Sequence, residues 1–469
     1  MRFSAASTAE RLLPERLALR LRPLVDRIDE IVFDPGERGE ASRMSLIAFT
    51  IRVVSAAIAF VSQVLLARWM GGFEYGIFVL VWTAMVIAGS VACFGFHTSV
   101  IRFIPEYRDK GMLAELRGVL LTSRRLVLFL STGLALVAMA AVWLASDRIE
   151  PYYVVPFILG LFCVPMIALS DLLQGVARAY SWGISALAPT YITRPVLILA
   201  FMAGALALSY PPTAEIAIWS AILGTYATTI IQLAETTADV DAKLPPGPRT
   251  VHLRTWIIVS LPIFLIEGFS FLLTNADVLM VGLFLPPNEV GIYFATVKTL
   301  ALVHFVYFAV KAGVAQRYSQ FAHGDKERLA EFARETAAWT FWPSLLMGGA
   351  VLLIGDFMLK LFGPGFEAGY PLLFPLVFGV VARASVGPSE SLLTMSDHQN
   401  ICAVIYAVTL VVNVALSVIL IPRFGLWGAA FANAASMTFE AAVLSFTAWR
   451  KLGIVMMILL PPLRSRRAS

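Results

Sequence analysis

The chain has 469 residues, of which 59% are hydrophobic and only 14% charged, and its mean hydropathy is +0.79. Soluble proteins carry about 25% charged residues, so the composition excludes a chain of soluble domains. Apolar runs of about 20 residues indicate helices that cross a membrane. The net charge of +5 fits basic cytoplasmic loops rather than nucleic-acid binding.

The first 43 residues predict a cytoplasmic, basic and amphipathic tail. No apolar segment precedes residue 44, so a cleavable signal peptide is not expected. Apolar residues recur at helical spacing among arginines, which is typical of a helix lying on an anionic membrane surface. The alternative is a partly disordered tail that binds nothing. The residues concerned are Arg16, Leu17, Arg20, Leu21, Arg22, Leu24, Val25, Arg27, Ile28, Ile31 and Val32.

Hydropathy predicts an all-α polytopic membrane protein with about twelve transmembrane helices in two six-helix lobes around a central cavity. The lobes are residues 44–233 and 255–453, with a cytoplasmic linker at 234–254 and a cytoplasmic tail at 454–469. Spans 1 to 12 are expected at Met44–Trp69, Tyr75–Val100, Leu126–Ala145, Tyr152–Ser170, Ala186–Leu208, Thr213–Leu233, Thr255–Leu283, Gly291–Val310, Ala337–Gly355, Tyr370–Leu392, Asn400–Ile421 and Gly425–Phe446. Prolines at 165, 195, 262, 343 and 375 predict kinks.

The distribution of basic residues predicts the orientation. If the N-terminus is cytoplasmic, 28 of the 36 Lys and Arg residues lie in the tails and inner connections, and four lie at outer loops. This is a strong positive-inside signal, and it places both termini in the cytoplasm. The remaining four basic residues lie within spans: Arg52, Arg194, Lys298 and Arg383.

The chain contains a weak internal repeat. The segments ARWMGGFEYGIFVL (67–80) and GLFLPPNEVGIYFA (282–295) each follow a long apolar helix and share Gly-Ile-aromatic after an acidic residue. Aligning Gly76 with Gly291 maps spans 1–3 onto spans 7–9 in the same orientation, so a parallel repeat is expected. The same offset maps Arg52 onto Glu267, which predicts a cation and an anion facing each other across a central cavity.

Four segments resemble the polysaccharide and O-antigen flippases of the multidrug/oligosaccharidyl-lipid/polysaccharide exporter superfamily. They are LLARWMGGFEYGIFVL (65–80), EVGIYFATVKTL (289–300), FAHGDKERLAEFARETA (321–337) and RFGLWGAAFANAAS (423–436), which occur in the family's order at the expected spans. The resemblance covers about residues 44–453. It implies transport of an undecaprenyl-linked oligosaccharide across a bacterial inner membrane.

Charged and polar residues inside the spans are the candidate site residues, because a charge at mid-bilayer is costly and must face protein or water. A guanidinium suits a phosphate ligand. Substrate-binding candidates are Arg52, Lys298, Arg194, Arg383 and Gln63, and candidates for ion coupling are Glu267, Asp277 and His304. Structural alternatives stay open: a pair of Arg52 with Glu267, a pair of Arg383 with Glu390, and an anchoring role for Arg194 at the inner interface. No catalytic residue, metal site or cofactor is expected, and the three cysteines lie in separate apolar runs.

The sequence therefore favours a flippase whose partners are a lipid-linked oligosaccharide, membrane lipids and polysaccharide polymerase or assembly proteins. The second hypothesis is an ion-coupled multidrug or small-molecule antiporter of the same superfamily. The third is a polyprenyl-dependent glycosyltransferase, which the short first outer loop disfavours because it offers a single acidic residue, Glu74.

Overall fold

The computed structural model describes residues 37–322, 326–396, 398–456 and 458, with side chains from residue 54 onward except 312, 315, 316 and 326. The described chain folds into long helices joined by short turns. Spans 1 and 2 share the helix Glu37–Ala92, and span 2 continues as Phe96–Asp109. The remaining spans are Leu113–Leu144, Pro151–Leu161 with Cys163–Ala179, Gly183–Ala188 with Arg194–Ala207, Ala214–Lys243, Leu253–Phe284, Pro287–Ala322, Lys326–Lys360, Phe366–Leu372 with Leu373–Ala384 and Ser389–Met395, Gln399–Phe424, and Leu426–Leu452.

Ten of the described helices are long and apolar enough to cross a membrane, or eleven when the bent pair that forms span 4 is counted as one. The longest, Val54–Asp109, contains two crossings because the chain reverses at Gly71 (φ 75°, ψ 170°). The Tyr75 hydroxyl donates to Gln63 at 3.0 Å. These residues would stand about 18 Å apart along a straight helix. Dividing this helix at Gly71 gives twelve spans, and the all-helical membrane fold is confirmed.

The helices extend beyond the predicted spans at the ends that are predicted to be cytoplasmic. Span 3 begins at Leu113, span 6 ends at Lys243 and span 8 ends at Ala322. Hydropathy marks only the part of a helix that lies in hydrocarbon, whereas polar residues beyond it remain helical. The predicted inner connection 101–125 is therefore reduced to a tight turn at 110–112.

Prolines account for some of the bends. Span 4 breaks at Phe162 by 43°, three residues before Pro165, and span 5 contains a π-turn at Pro189–Thr193, just before Pro195. Pro262 and Pro343 lie inside continuous helices. No proline marks the break in span 2, where Phe94 (φ 51°) and Gly95 (φ 74°) have left-handed backbone conformations.

The two repeated turns touch each other at the side that is predicted to be outer. A methyl group on Gly76 would overlap the backbone of Pro287, and one on Gly291 would stand 3.1 Å from the Gly72 carbonyl oxygen. The offset of 215 relates Gly72 to Pro287 and Gly76 to Gly291, so these two contacts are exchanged by the repeat. Such reciprocal contacts are what a twofold relation produces. Glycine is required here because the backbones approach within the space of a side chain.

The acidic residue of each turn lies at the N-terminus of the last helix of its half. Glu74 Oε2 accepts from the backbone nitrogen of Ala214, the first residue of span 6, at 2.7 Å. Its counterpart Glu289 lies beside Gly425, the residue that caps span 12; a methyl group there would be 3.9 Å from the carboxylate. An anion at a helix N-terminus satisfies free backbone N–H groups and interacts favourably with the helix dipole.

Two expectations are left as predictions. Residues 1–36 of the predicted amphipathic tail 1–43 lie outside the described residues, and so does most of the tail 454–469. The division into lobes at 44–233 and 255–453 stays a prediction, although the reciprocal contact of the two turns agrees with it.

Candidate functional site

A cavity lies between the first six and the last six spans and consists of two adjoining compartments of about 560 and 720 Å³. Both compartments share one stretch of wall, formed by spans 1, 2, 5, 7 and 8. The shared residues are Ala56, Ala59, Thr83, Tyr191, Asn275, Phe294, Lys298, Ala301 and Phe305. Lys298 is the charged residue of this shared wall and so stands at the junction.

The two compartments differ in chemistry. The smaller one is lined by many polar side chains, mostly from the second half: Ser55, Arg178, Ser270, Thr274, Asp277, His304, Arg383, Tyr406, Asn413, Asn433, Ser436 and Glu440. The larger one is mainly apolar, with walls from Phe60, Leu66, Phe78, Trp82, Val86, Ile198, Leu302, Met347 and Met358, and its polar groups include Gln63 and Arg194. We call them the polar and the apolar compartment.

Lys298 is a cation with an exposed side chain that faces this cavity. Its ammonium nitrogen lies 4.7 Å from the centre of the Phe294 ring. Among the described residues no carboxylate lies within ion-pair distance of it, although Asp277 acts on it electrostatically. It stands eleven residues from the start of span 8 at Pro287, which is about 16 Å into a hydrocarbon core of about 30 Å.

Arg194 lines the apolar compartment and is only 5% exposed. Its Nε and Nη2 atoms are buried and have no hydrogen-bond partner among the described residues. Asp171 acts on it electrostatically without forming an ion pair within that part of the chain. This position inside the protein differs from the interfacial anchor considered as an alternative. A buried guanidinium without a counterion is costly, and an anionic ligand would remove that cost.

Arg383 belongs to a buried ion-pair network in the second half. Its Nη2 atom lies 2.8 Å from Glu440 Oε1 and 3.6 Å from Glu390 Oε2. Lys311 also pairs with Glu390, and the Arg383 guanidinium stacks on Tyr307 at 4.8 Å. The network joins spans 8, 10 and 12. Although Arg383 lines the polar compartment, its charge is neutralised by protein carboxylates.

Asp277 is 4% exposed and is held by three donors. The Tyr293 hydroxyl donates to it at 3.1 Å, the Asn433 amide at 2.8 Å and the Val278 backbone nitrogen at 2.9 Å. Three spans of the second half, 7, 8 and 12, thus meet at one carboxylate on the wall of the polar compartment. His304 lines the same compartment and is half-buried.

Glu267 is not on the described cavity wall. Its carboxylate faces span 2, where His97 Nε2 lies 2.8 Å from Oε2 and the Thr98 hydroxyl donates to both oxygens at 2.8 and 2.9 Å. The side chain of Arg52 lies outside the described ones, so its pairing with Glu267 and its ligand role stay predictions. Gln63 lies on the apolar wall and accepts from Tyr75.

Sequence reasoning did not select several polar wall residues, among them Arg178, Asn275, Asn413 and Asn433. Asparagine amides inside apolar spans are a usable signal, because each needs a partner in the membrane. Arg178 was assigned to an inner connection, although it lies on the last turn of span 4 and lines the cavity. Within the described residues no group of three or more His, Cys, Asp or Glu side chains could hold a metal ion.

Comparison with solved structures places the fold among membrane transporters. The chain is similar to a multidrug resistance MATE family transporter of the MOP superfamily in an inward-facing conformation, with a TM-score of 0.67, 14% identity and coverage of 86% of this chain and 94% of that one. It is also similar to the lipid II flippase MurJ in an inward closed conformation, with a TM-score of 0.62, 11% identity and coverage of 86% and 87%.

Sequence comparison gives a more specific result. A curated relative, the probable low-salt glycan biosynthesis flippase Agl15 of Haloferax volcanii, is 24% identical over 416 residues, covering 85% of this chain and 81% of the relative. The family model described as polysaccharide biosynthesis protein matches residues 43–315, which is more than half of the chain. The chain is therefore a multi-pass membrane protein that belongs to the polysaccharide biosynthesis protein family.

Proposed function

We propose that the protein moves a polyprenyl-(pyro)phosphate-linked oligosaccharide from the inner to the outer leaflet of a bacterial inner membrane, for surface polysaccharide biosynthesis. The observation that carries the proposal is that Lys298 and Arg194 line the cavity and that neither has an ion-paired carboxylate among the described side chains. Both are near mid-membrane, where a charge is retained only for a reason.

The two compartments suit the two parts of such a ligand. Tyrosine, asparagine, serine and threonine side chains of the polar compartment offer hydrogen bonds to sugar hydroxyls. The apolar compartment offers aromatic and aliphatic walls to the first isoprene units. Lys298 stands between them, where the phosphates of such a ligand join glycan to lipid, and Arg194 reaches the same ligand from the apolar side.

The names of two relatives support this assignment. Agl15 is a probable glycan biosynthesis flippase, and MurJ is a flippase of lipid II. Their names describe transporters, and we propose that this chain likewise acts without catalysing a reaction. Arg383 then stabilises the second half, because Glu440 and Glu390 neutralise it.

The proposal includes an orientation and partners. Both termini lie in the cytoplasm, and lobes 44–233 and 255–453 rock around the cavity, as expected for a parallel repeat. Polysaccharide polymerase or assembly proteins receive the product. Asp277, His304 and Glu267 are the candidates for ion coupling; Asp277 and His304 lie on the cavity wall, and Glu267 lies at the inner contact between the halves.

The test is neutralisation of the two cations. We expect Lys298→Gln and Arg194→Gln each to reduce flipping by about tenfold or more, because a hydrogen bond to a charged group contributes about 1.5–3 kcal/mol. The measurements are the surface polysaccharide in cells and the amount of lipid-linked intermediate that remains in the inner leaflet. Arg423→Gln is the matched control, since Arg423 is exposed at the outer end of span 11.

Normal export by both variants, at normal protein level, contradicts a cationic ligand site. In that outcome the antiporter hypothesis gains, and resistance to cationic dyes becomes the decisive measurement. If both variants lose export, and a null strain complemented by wild-type protein recovers its surface polysaccharide, the flippase proposal stands.

A further inference from the structure

The inner half of span 2 is a separate helix, because a break in the backbone divides it from the outer half. The helix Glu37–Ala92 ends one residue before Cys93, and a new helix begins at Phe96. Between them Phe94 and Gly95 have φ angles of 51° and 74°. A left-handed conformation is unusual for an aromatic residue and is maintained only when its surroundings hold it. The break therefore gives the inner helix, Phe96–Asp109, an orientation of its own.

This inner helix packs against the first half of span 7. The Phe94 and Phe264 rings stack at 4.9 Å, and the hydroxyls of Ser99 and Ser260 are 2.7 Å apart. A methyl group on Gly95 would lie 2.6 Å from the Ser260 carbonyl oxygen, so the two backbones touch. Span 2 belongs to the first repeat and span 7 to the second. This contact, which we call the inner seam, thus joins the two halves on their cytoplasmic side.

His97 and Glu267 connect the two sides of the inner seam. Their Nε2 and Oε2 atoms are 2.8 Å apart, and Thr98 adds its hydroxyl to the same carboxylate. The side chains are 27% and 41% exposed. Three other titratable groups lie around the pair: Cys93 on span 2, and Asp171 and Arg178 on span 4. Asp171 accepts from the Ser90 hydroxyl, and Arg178 acts electrostatically on Glu267.

The outer contact between the halves has a different character. It is built from buried aromatic rings, with Tyr75 5.9 Å from Phe366 and 6.4 Å from Phe362, and from the touching glycine turns. Opening such a contact exposes apolar surface. The inner seam also contains an apolar ring stack, Phe94 on Phe264, but its His97–Glu267 pair is partly solvated and titratable. A change of charge can therefore weaken the inner seam directly.

We propose that His97 and Glu267 form a clasp between span 2 and span 7 that opens in each transport cycle, and that protonation of Glu267 releases it. The proposal rests on the flippase function given above. A neutral carboxyl loses the charge that holds His97, and the break at Phe94–Gly95 lets the inner helix turn away. The charge of Glu267 thus controls access to the cavity from the cytoplasm. In this role Glu267 does not contact the ligand.

A disulfide across the inner seam tests whether it opens. Ser99→Cys with Ser260→Cys places two thiols where the hydroxyls are 2.7 Å apart. The native cysteines are buried and form no disulfide. The matched controls are the single variants Ser99→Cys and Ser260→Cys, which undergo the same oxidation but cannot form the cross-link. Flipping of a lipid-linked oligosaccharide is measured in reconstituted vesicles before and after oxidation.

We expect oxidation to reduce flipping at least tenfold in the seam variant, with recovery on reduction, and to leave the two single variants active. Full flipping by the oxidised seam variant overturns the proposal. A second measurement needs no transport: Ser260→Cys is labelled in inside-out vesicles with and without Glu267→Gln. We expect labelling to become several times faster with Glu267→Gln, and an unchanged rate rejects release by a neutral carboxyl. If labelling responds but wild-type protein flips no lipid-linked glycan, the flippase assignment is wrong and the clasp stands.

Discussion

Replacing Arg383 separates a structural from a ligand-binding role for the second-half charges. Glu440 is 1% exposed and has Arg383 as its ion-pair partner at 2.8 Å. Glu390 retains Lys311 when Arg383 is removed. Arg383→Gln therefore leaves the Glu440 carboxylate without its ion-pair partner. Breaking a buried pair by removing one partner costs about 3–5 kcal/mol, because a buried charge is left uncompensated. We therefore expect a clear drop in the unfolding temperature of the purified protein.

The double variant Arg383→Met with Glu440→Leu should recover most of that loss, because apolar residues of similar volume replace buried pairs at little cost. Unfolding temperature in detergent and export in cells are measured on the same variants. Lys110→Gln is the control, since its pair with Glu106 is exposed on the surface and such pairs contribute about 0.3–0.5 kcal/mol. An Arg383→Gln protein as stable as wild type but unable to export would refute the structural role.

Three further outcomes follow from the fold. Gly76→Val should prevent accumulation of folded protein, because its side chain overlaps the opposite turn, whereas Gly133→Ala, in open space, should be tolerated; protein level in membranes decides. Glu74→Ala should lower stability by about 0.5–2 kcal/mol by uncapping span 6, measured by thermal unfolding; no change would contradict the cap. A cysteine at Pro286 should react with an impermeant thiol reagent in intact cells and one at Gly247 should not, and the opposite pattern would reverse the orientation.

The number and place of the spans could be predicted because apolar length is a property of local sequence. The helix ends could not, since the polar inner turns of spans 3, 6 and 8 remain helical beyond the apolar window. The repeat was readable from a few residues around Gly76 and Gly291. The structure adds what these residues do: the glycines let the two turns touch, Glu74 caps span 6, and Glu289 lies beside the N-terminus of span 12.

The pairing of charges was the part that sequence could not supply. The offset of 215 agrees with the reciprocal contact of the two turns, yet equivalent positions in a repeat need not face each other. The described partners of Glu267, His97 and Thr98, lie on span 2, and the offset alone does not indicate them. Helical spacing identifies the face on which a charge lies, but its partner depends on which neighbouring span crosses that face at the same depth. In sequence, Arg194 and Arg383 are each a single arginine in an apolar run. They differ in whether a carboxylate from another span reaches the guanidinium. That difference decides which cation remains for a ligand, and it makes Arg194 and Lys298 the first residues to test.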